Sequence, residues 1–349
     1  MKVSFTEDQN LLRDSAVQVF RRVDPRQQAW PMFAEMGWLG LALDVDLGGS
    51  GQGVLEACIV AEQMGQAGVI APFATNAVAA TYVLERLGDE QQRQILAHVA
   101  DGSLRIAFAR PSADPAGEVR AERSAAGSFL LTGDILIPEV PEAGRVVVQA
   151  STQGSVGVLL VRMDDLQGVL AQFASIDGST EGKARLEGVP AELLSASPDA
   201  SSVLEKAADR FNTVICAELV GLMDDMVDRT RNYLKTRVQF GQPLATKQVL
   251  RHRVVDMAVA VEESRALTLR AALALDGLAD FDAARAASGA VVKVGAAARW
   301  VVEDAIQLHG AMGFTEELGI GARLKRVIGA NSLTGGHLVH LKRHAALAD

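Results

Sequence analysis

Two stretches in the last third of the chain carry residue types able to bind a ligand and react with it. The first, Tyr233-Leu-Lys-Thr-Arg237-Val-Gln239-Phe240-Gly241-Gln242-Pro243, closes a helix-like run and turns the chain. Arg237 near a helix C-terminus complements the dipole, and Gly241 to Pro243 reads as a helix stop. The second, Gln307-Leu-His309-Gly310-Ala311-Met-Gly313-Phe-Thr-Glu316-Glu317, sets glycines and polar side chains at the end of a long apolar helix. Glycines let a backbone approach a ligand closely, and two adjacent carboxylates follow. A glycine-rich helix end with solvated glutamates is an equally good description, and the residues alone leave both open. A third stretch, Asp44 to Gly53, is glycine-rich, but no Lys-Ser/Thr follows and no strand precedes it. A phosphate loop needs both, so the expectation there is a flexible loop capping a helix. Cys58 and Cys216 lie far apart in helix-like segments, which predicts neither a disulfide framework nor a metal site.

Elements must position these residues. Thr6-Glu7-Asp8-Gln9 has capping-box spacing, and helices are predicted through Trp30–Leu41, Leu55–Met64, Ala77–Leu87 and Gln91–Ala100. Near residue 104 the texture changes to short apolar or alternating runs: Leu104–Ala109, Phe129–Ile137, Arg145–Ala150 and Val156–Val161. These are strand signals. Segment 111–128 is polar and turn-rich, and 175–202 reads as mostly loop. From about 203 the helical period returns. Phe211, Val214, Ile215, Leu219, Leu222, Met226 and Tyr233 form one stripe, and Leu250, Val254, Met257, Val261 and Leu269 a second; Val291 to Ile306 marks a third helix. Long helices with short connections predict an antiparallel bundle. The expected class is α+β multidomain, with an N-terminal helical domain (1–103), a middle β domain (104–197) and a C-terminal helical bundle (198–349).

Composition agrees. At 349 residues, 49% hydrophobic and 22% charged, the chain suits two or three packed units with ample apolar surface. Its net charge of −9 argues against non-specific binding to nucleic acid or an anionic membrane, while leaving room for a local basic pocket. No apolar run is long enough to span a bilayer, and the first residues lack a signal-peptide core, so a cytoplasmic location is expected.

Together the two chemical stretches resemble the C-terminal domain of acyl-CoA dehydrogenases. That domain has an Arg-x-Gln-Phe-Gly turn, matched by Arg237 to Gly241, with Asp256-Met257 at the following distance. Its later Gln-x-His-Gly-Gly-x-Gly-Phe-x-x-Glu is matched from Gln307 to Glu317, with Ala311 in place of one glycine. The resemblance extends through Glu35-Met-Gly37-Trp38-Leu-Gly40, Gly48-Gly49 and Glu62-Gln-Met-Gly65, then Leu131-Thr132-Gly133 and Ala143-Gly144-Arg145, so it covers essentially the whole chain. It implies helices, then a small β-barrel-like domain, then an antiparallel four-helix bundle. It also implies FAD-dependent α,β-desaturation of an acyl-CoA thioester, with an electron-transfer flavoprotein as electron acceptor. By motif position Glu317 is the base that removes the α-proton, with Asp209, before Arg210, as the alternative. A carboxylate in a water-poor pocket has a raised pKa and makes a stronger base. Arg237, Gln239, Phe240, Gln307, His309, Gly310 and Ala311 hold the adenine and pyrophosphate half of FAD in this comparison, across a subunit interface; an arginine is well shaped for a pyrophosphate.

The pattern breaks where the family lines the flavin ring. A Thr-Glu-Pro strand end followed by Gly-Ser is replaced by Ala109-Arg110-Pro111-Ser112 and Ala113 to Gly117. The next lining segment, usually with a small hydroxyl residue, reads Ile135-Leu136-Ile137-Pro138-Glu139. Asp44-Val45 replaces a Pro-Glu before the double glycine. Shortened relatives of this kind pair with a second, fuller chain and handle bulky substrates such as sterol side chains. The resemblance therefore implies a partner subunit of a heteromer that lends its C-terminal turns to the partner's FAD, with Glu317 a remnant. A self-sufficient homo-oligomeric enzyme and a non-catalytic scaffold are the alternatives.

Overall fold

The computed structural model describes residues 5–22, 29–111, 118–124, 127–140, 144–152, 155–280 and 282–347. Its contacts divide the chain into two units: Met1–Ala29 with Val54–Ile70 and Asn212–Asp349, and Trp30–Gly53 with Ala71–Phe211.

The second unit is built on a sheet. Phe129–Ile137 is a strand with the bounds its alternation predicts, and Arg105–Phe108, Gly144–Thr152 and Ser155–Arg162 lie where the other apolar runs place them. Val146, Val147 and Val148 are all buried because this strand is covered on both faces. Val146 and Val148 join Leu131, Ile135, Leu159 and Leu186 on one side, and Val147 joins Val83, Leu84, Leu96 and Val99 on the other. Successive side chains point to opposite faces, so a continuous valine run is what such a strand needs.

The expectation of loop over 175–202 is wrong. Thr180–Ser195 is a sixteen-residue strand, the longest in the sheet, and it pairs with Phe129–Ile137, Ser155–Arg162 and Leu170–Ala174. Its buried positions include the small Ala184, between charged Lys183 and Arg185, and the small Ala191, beside Glu192, which hides the alternation. Gly188, with φ +72°, is the extra residue where the register shifts between Leu131 and Thr132.

Helix Trp30–Leu41 is also shorter than predicted. It is a helix over Trp30–Glu35, then Gly37 in the left-handed region, then a 3-10 turn over Trp38–Gly40. The predicted helix Ala77–Leu87 starts earlier, as a wholly buried π-helical stretch Ala74–Ala80 running into the α-helix Thr81–Leu87. The Thr81 hydroxyl donates to the carbonyls of Ala77 (2.9 Å) and Val78 (3.2 Å) at that junction. Gln91–Ala100 divides into Glu90–Arg93 and Leu96–Ala100.

The first unit is helical. Thr6 and Gln9 make the predicted capping box at the start of Glu7–Phe20. The glycine-rich stretch 44–53, which belongs to the second unit, folds back by backbone bonds from Ser50 to Gly40, Gln52 to Leu41 and Gly51 to Leu43. It does not supply the cap predicted for the next helix. Asp276 does that: its two carboxylate oxygens accept from the amides of Val54 and Leu55, each at 2.9 Å. Helix Val54–Ala67 meets the long helix Ala200–Thr236 backbone to backbone. A Cβ on Gly65 would lie 1.9 Å from the Glu218 carbonyl, and one on Gly221 1.7 Å from that of Glu62. The long helix is buried all round between Val214 and Met223, broader than the single stripe predicted. Ala283–His309 packs against Gln248–Leu275, Ile320–Leu333 and His337–Ala346. Glu218 and Arg326, both buried, form a two-bonded ion pair at 2.6 and 2.8 Å.

Among the described residues no helix is long and apolar enough to cross a membrane.

Candidate functional site

The long helix ends at Thr236, and the amide of Arg237 still donates to Tyr233 (2.8 Å). Val238–Gln239 then pairs antiparallel with Gln242–Pro243, and the Leu244 amide donates to the Arg237 carbonyl (2.9 Å), closing a tight hairpin. Its two central residues, Phe240 (φ 54°) and Gly241 (φ 77°), are both left-handed. That is the pattern of a two-residue I′ hairpin, whose twist matches its strands. Glycine adopts it freely, but a bulky aromatic there is an outlier. The Phe240 ring is 89% exposed. Arg237 and Gln239 are exposed beside it, so the hairpin displays a cation, an amide and an aromatic face outward.

The second stretch is seated against the first. His309 ends helix Ala283–His309, is 4% exposed, and its Nδ1 donates to the Ala305 carbonyl at 2.8 Å. Its ring stacks on Tyr233 at 4.4 Å between centroids, and the Tyr233 hydroxyl donates to the His309 carbonyl (3.3 Å). Burial, reinforced by Arg229, pushes the imidazole pKa down, so His309 is neutral near pH 7. Tyr233 and His309 thus join the helix end that precedes Arg237 to the one that carries Gln307. Gly310 turns the chain at φ 61° and ψ −138°, a conformation open essentially to glycine. Gln307, Gly310 and Ala311 are exposed on this turn.

The two candidate carboxylates differ in setting. Glu317 sits on the 3-10 turn Glu316–Leu318 and is exposed. Asp209, on the long helix and in the other unit, is 2% exposed.

Comparison with known proteins decides what these turns belong to. The acyl-CoA dehydrogenase N-terminal domain matches residues 6–103, and the acyl-CoA dehydrogenase C-terminal domain matches residues 202–345. The chain belongs to the acyl-CoA dehydrogenase family. It is 27% identical to acyl-CoA dehydrogenase fadE12 of Mycobacterium tuberculosis, over 87% of this chain and 83% of that one. A point variant of the Tcur3481-Tcur3483 steroid ACAD superposes with a TM-score of 0.85 at 25% identity, covering 98% and 97% of the two chains. Butyryl-CoA dehydrogenase from Megasphaera elsdenii shares the fold, with a TM-score of 0.90 over 99% of each chain at 18% identity.

Acyl-CoA dehydrogenases are FAD-dependent flavoproteins. The residues of this chain fit one half of that cofactor. The exposed Arg237, Gln239 and Gln307 offer donors suited to a diphosphate, and Phe240 offers a flat face for a base. At the segments that line the ring in the family the fit fails. Strand residue Arg110 pairs with Leu136, three residues before Glu139. Glu139 is 8% exposed, and it accepts from the hydroxyl of Thr75, itself buried, at 2.6 Å. The counterpart of the family's Gly-Ser, within Ser112 to Gly117, lies outside the described residues, as does Ala143. Sequence reasoning noticed the missing hydroxyl residues but not the bond between Thr75 and Glu139; a charged residue just past an apolar strand was the available signal.

Proposed function

We propose that this chain is one subunit of a heteromeric acyl-CoA dehydrogenase, paired with a fuller member of the family, that desaturates an acyl-CoA thioester between its α and β carbons. The observation that carries the reading is the Arg237–Pro243 hairpin. It spends backbone strain to hold Phe240 outward, 89% exposed, with Arg237 and Gln239 beside it. Strain of this kind clusters at functional sites, and among the described residues nothing covers the Phe240 side chain. Arg237, Gln239, Phe240, Gln307, Gly310 and Ala311 therefore hold the adenine and pyrophosphate half of an FAD whose ring lies in the partner. His309 acts as a positioning residue through Tyr233. The likeness to the Tcur3481-Tcur3483 steroid ACAD, whose name joins two components, supports both the pairing and a bulky, sterol-derived acyl group as the first substrate to try. An electron-transfer flavoprotein is the proposed electron acceptor, and the cytoplasm the proposed location.

Glu317 stands at the motif's base position but is exposed, with no enclosing pocket around it within this chain's described residues. Proton removal falls to a carboxylate of the partner subunit, and Glu317 is a remnant. The test is co-expression with a full-length family member, followed by absorbance spectra of the chain alone and of the complex. A colourless chain and a yellow, active complex are expected. Turnover by the chain alone would refute the heteromer. In the complex, Glu317→Gln is expected to hold turnover within about twofold; a loss of about a hundredfold or more would restore Glu317 as the base.

A further inference from the structure

Glu139 carries two costs that a strand end has no need to carry. Its backbone is left-handed, φ 55°, which costs a non-glycine residue about 1–2 kcal/mol. Its carboxylate is buried, and a buried charge is tolerated only when hydrogen-bonded and paired. The hydrogen bond comes from elsewhere in the same unit, and an arginine stands on the neighbouring strand. Thr75 comes from the buried π-helical stretch Ala74–Ala80, a form of helix found mainly at specialised sites, and its hydroxyl closes on Oε2 of Glu139 at 2.6 Å. Arg110 comes from the strand end Arg110–Pro111. It pairs with Leu136, three residues before Glu139, and Leu136 pairs on its other side with Lys183, two residues after Glu181. Burial pulls the Arg110 pKa down, and the nearby Glu139, followed by Glu181, opposes this. Glu181 is fixed in turn by the Ser175 hydroxyl at 2.6 Å. The Thr75 stretch, the strand end at Arg110 and the residues that follow Ile137 and precede Gly182 thus meet beside one half-buried arginine.

We propose that Thr75, Arg110 and Glu139 form an internal ionic plug that occupies the place of a flavin ring in this chain and excludes one. This deepens the subunit reading and rests on it. The two segments carrying Arg110 and Glu139 are those whose counterparts in the family line the ring. An isoalloxazine is neutral when oxidised and becomes an anion when it accepts a hydride, so a ring site needs donors and positive potential. Here the positive charge of Arg110 is matched by two carboxylates, and the Thr75 hydroxyl is already spent on one of them. The plug leaves the chain with a single working contribution to the cofactor, the outward C-terminal turns.

Riboflavin, which is the ring without the diphosphate, separates this proposal from the subunit reading. It is titrated into the purified wild-type chain and into the R110A/E139G variant, following riboflavin fluorescence and its visible spectrum. Glycine suits the left-handed backbone at 139, so the variant keeps its fold while losing both charges. The variant is expected to bind riboflavin at least about tenfold more tightly than the wild type, roughly 1.4 kcal/mol. Equal binding by the two, or binding by neither, overturns the plug. If the double variant melts below the wild type, the single variant E139G carries the same comparison. A heteromeric complex without flavin would refute the subunit reading instead, whatever riboflavin does with the chain alone.

Discussion

The hairpin tip offers a perturbation whose effects on stability and on assembly have opposite signs. Phe240 occupies a left-handed position that costs a side-chain-bearing residue about 1–2 kcal/mol, while asparagine tolerates that region and Asn-Gly is the favoured pair for a I′ turn. At 89% exposure the Phe240 ring gives up almost no buried contact when it is removed. Phe240→Asn should therefore stabilise the isolated chain by about 0.5–1.5 kcal/mol, most of the conformational strain, with little to subtract. In a chain of this size that is a rise of about 1–4 °C in melting temperature by differential scanning calorimetry. The same substitution removes an exposed aromatic anchor, and such residues contribute about 1–2 kcal/mol or more when they are buried against a partner. The reconstituted complex should accordingly retain FAD about tenfold more weakly, read as flavin content after dilution and gel filtration. A variant that melts lower than wild type would show that Phe240 is not strained. A variant that melts higher yet keeps its flavin at full occupancy would show that the hairpin displays the ring to no purpose.

Other expectations follow from the same geometry. Arg237→Lys should also lower flavin retention in the complex by about tenfold, since an ammonium cannot reproduce a planar, two-pronged contact with a diphosphate; flavin-to-protein absorbance ratios check it, and an unchanged ratio would count against Arg237 as the anchor. Glu218→Gln should cost about 3–5 kcal/mol by stranding the buried Arg326, whereas E218M/R326M should be near neutral or stabilising; denaturant titration decides, and equal losses in both would mean packing rather than charge governs that site. His309 should make the chain acid-sensitive. Its folded pKa is held below the ordinary value of about 6.5, so below that pH the unfolded chain takes up a proton that the native state refuses, and stability falls as pH falls. Melting temperatures at pH 7.5 and 5.5 should therefore converge in His309→Gln; an undiminished gap would place the acid sensitivity elsewhere.

The sequence was most informative where chemistry and secondary structure coincide. The glycines, the proline and the basic residue around Arg237–Pro243 announce a helix end, and the structure ends the helix at Thr236. The apolar runs at 129–137 and 156–161 name their own strands because large side chains alternate with polar ones or fill both faces. Thr180–Ser195 stayed hidden because several of its inward residues are small and lie between full charges, and because Gly188 interrupts the alternation. Nothing local announces that Phe240 takes a conformation that its turn partner Gly241 would take more easily. The group of Thr75, Arg110 and Glu139 was illegible for a different reason. Its members come from three segments, and only folding brings the Thr75 hydroxyl onto the Glu139 carboxylate with Arg110 on the neighbouring strand.

The cap on helix Val54–Ala67 bears on how the chain emerges during synthesis. The acceptor for the first amides of that helix is Asp276, about 220 residues downstream. At a ribosomal pace of about 5–20 residues per second the helix waits roughly 10–40 seconds for it. In that interval the sequence of the sheet-bearing unit, through Phe211, is already complete and free to fold. Helix Val54–Ala67 has Glu7–Phe20 to pack on at once but acquires its cap late, and its faces later buried by the long helix stay open until that helix is made. A nascent chain stalled before residue 276 should be digested by protease within 54–67 while its sheet resists, and a chain released past that point should be protected in both.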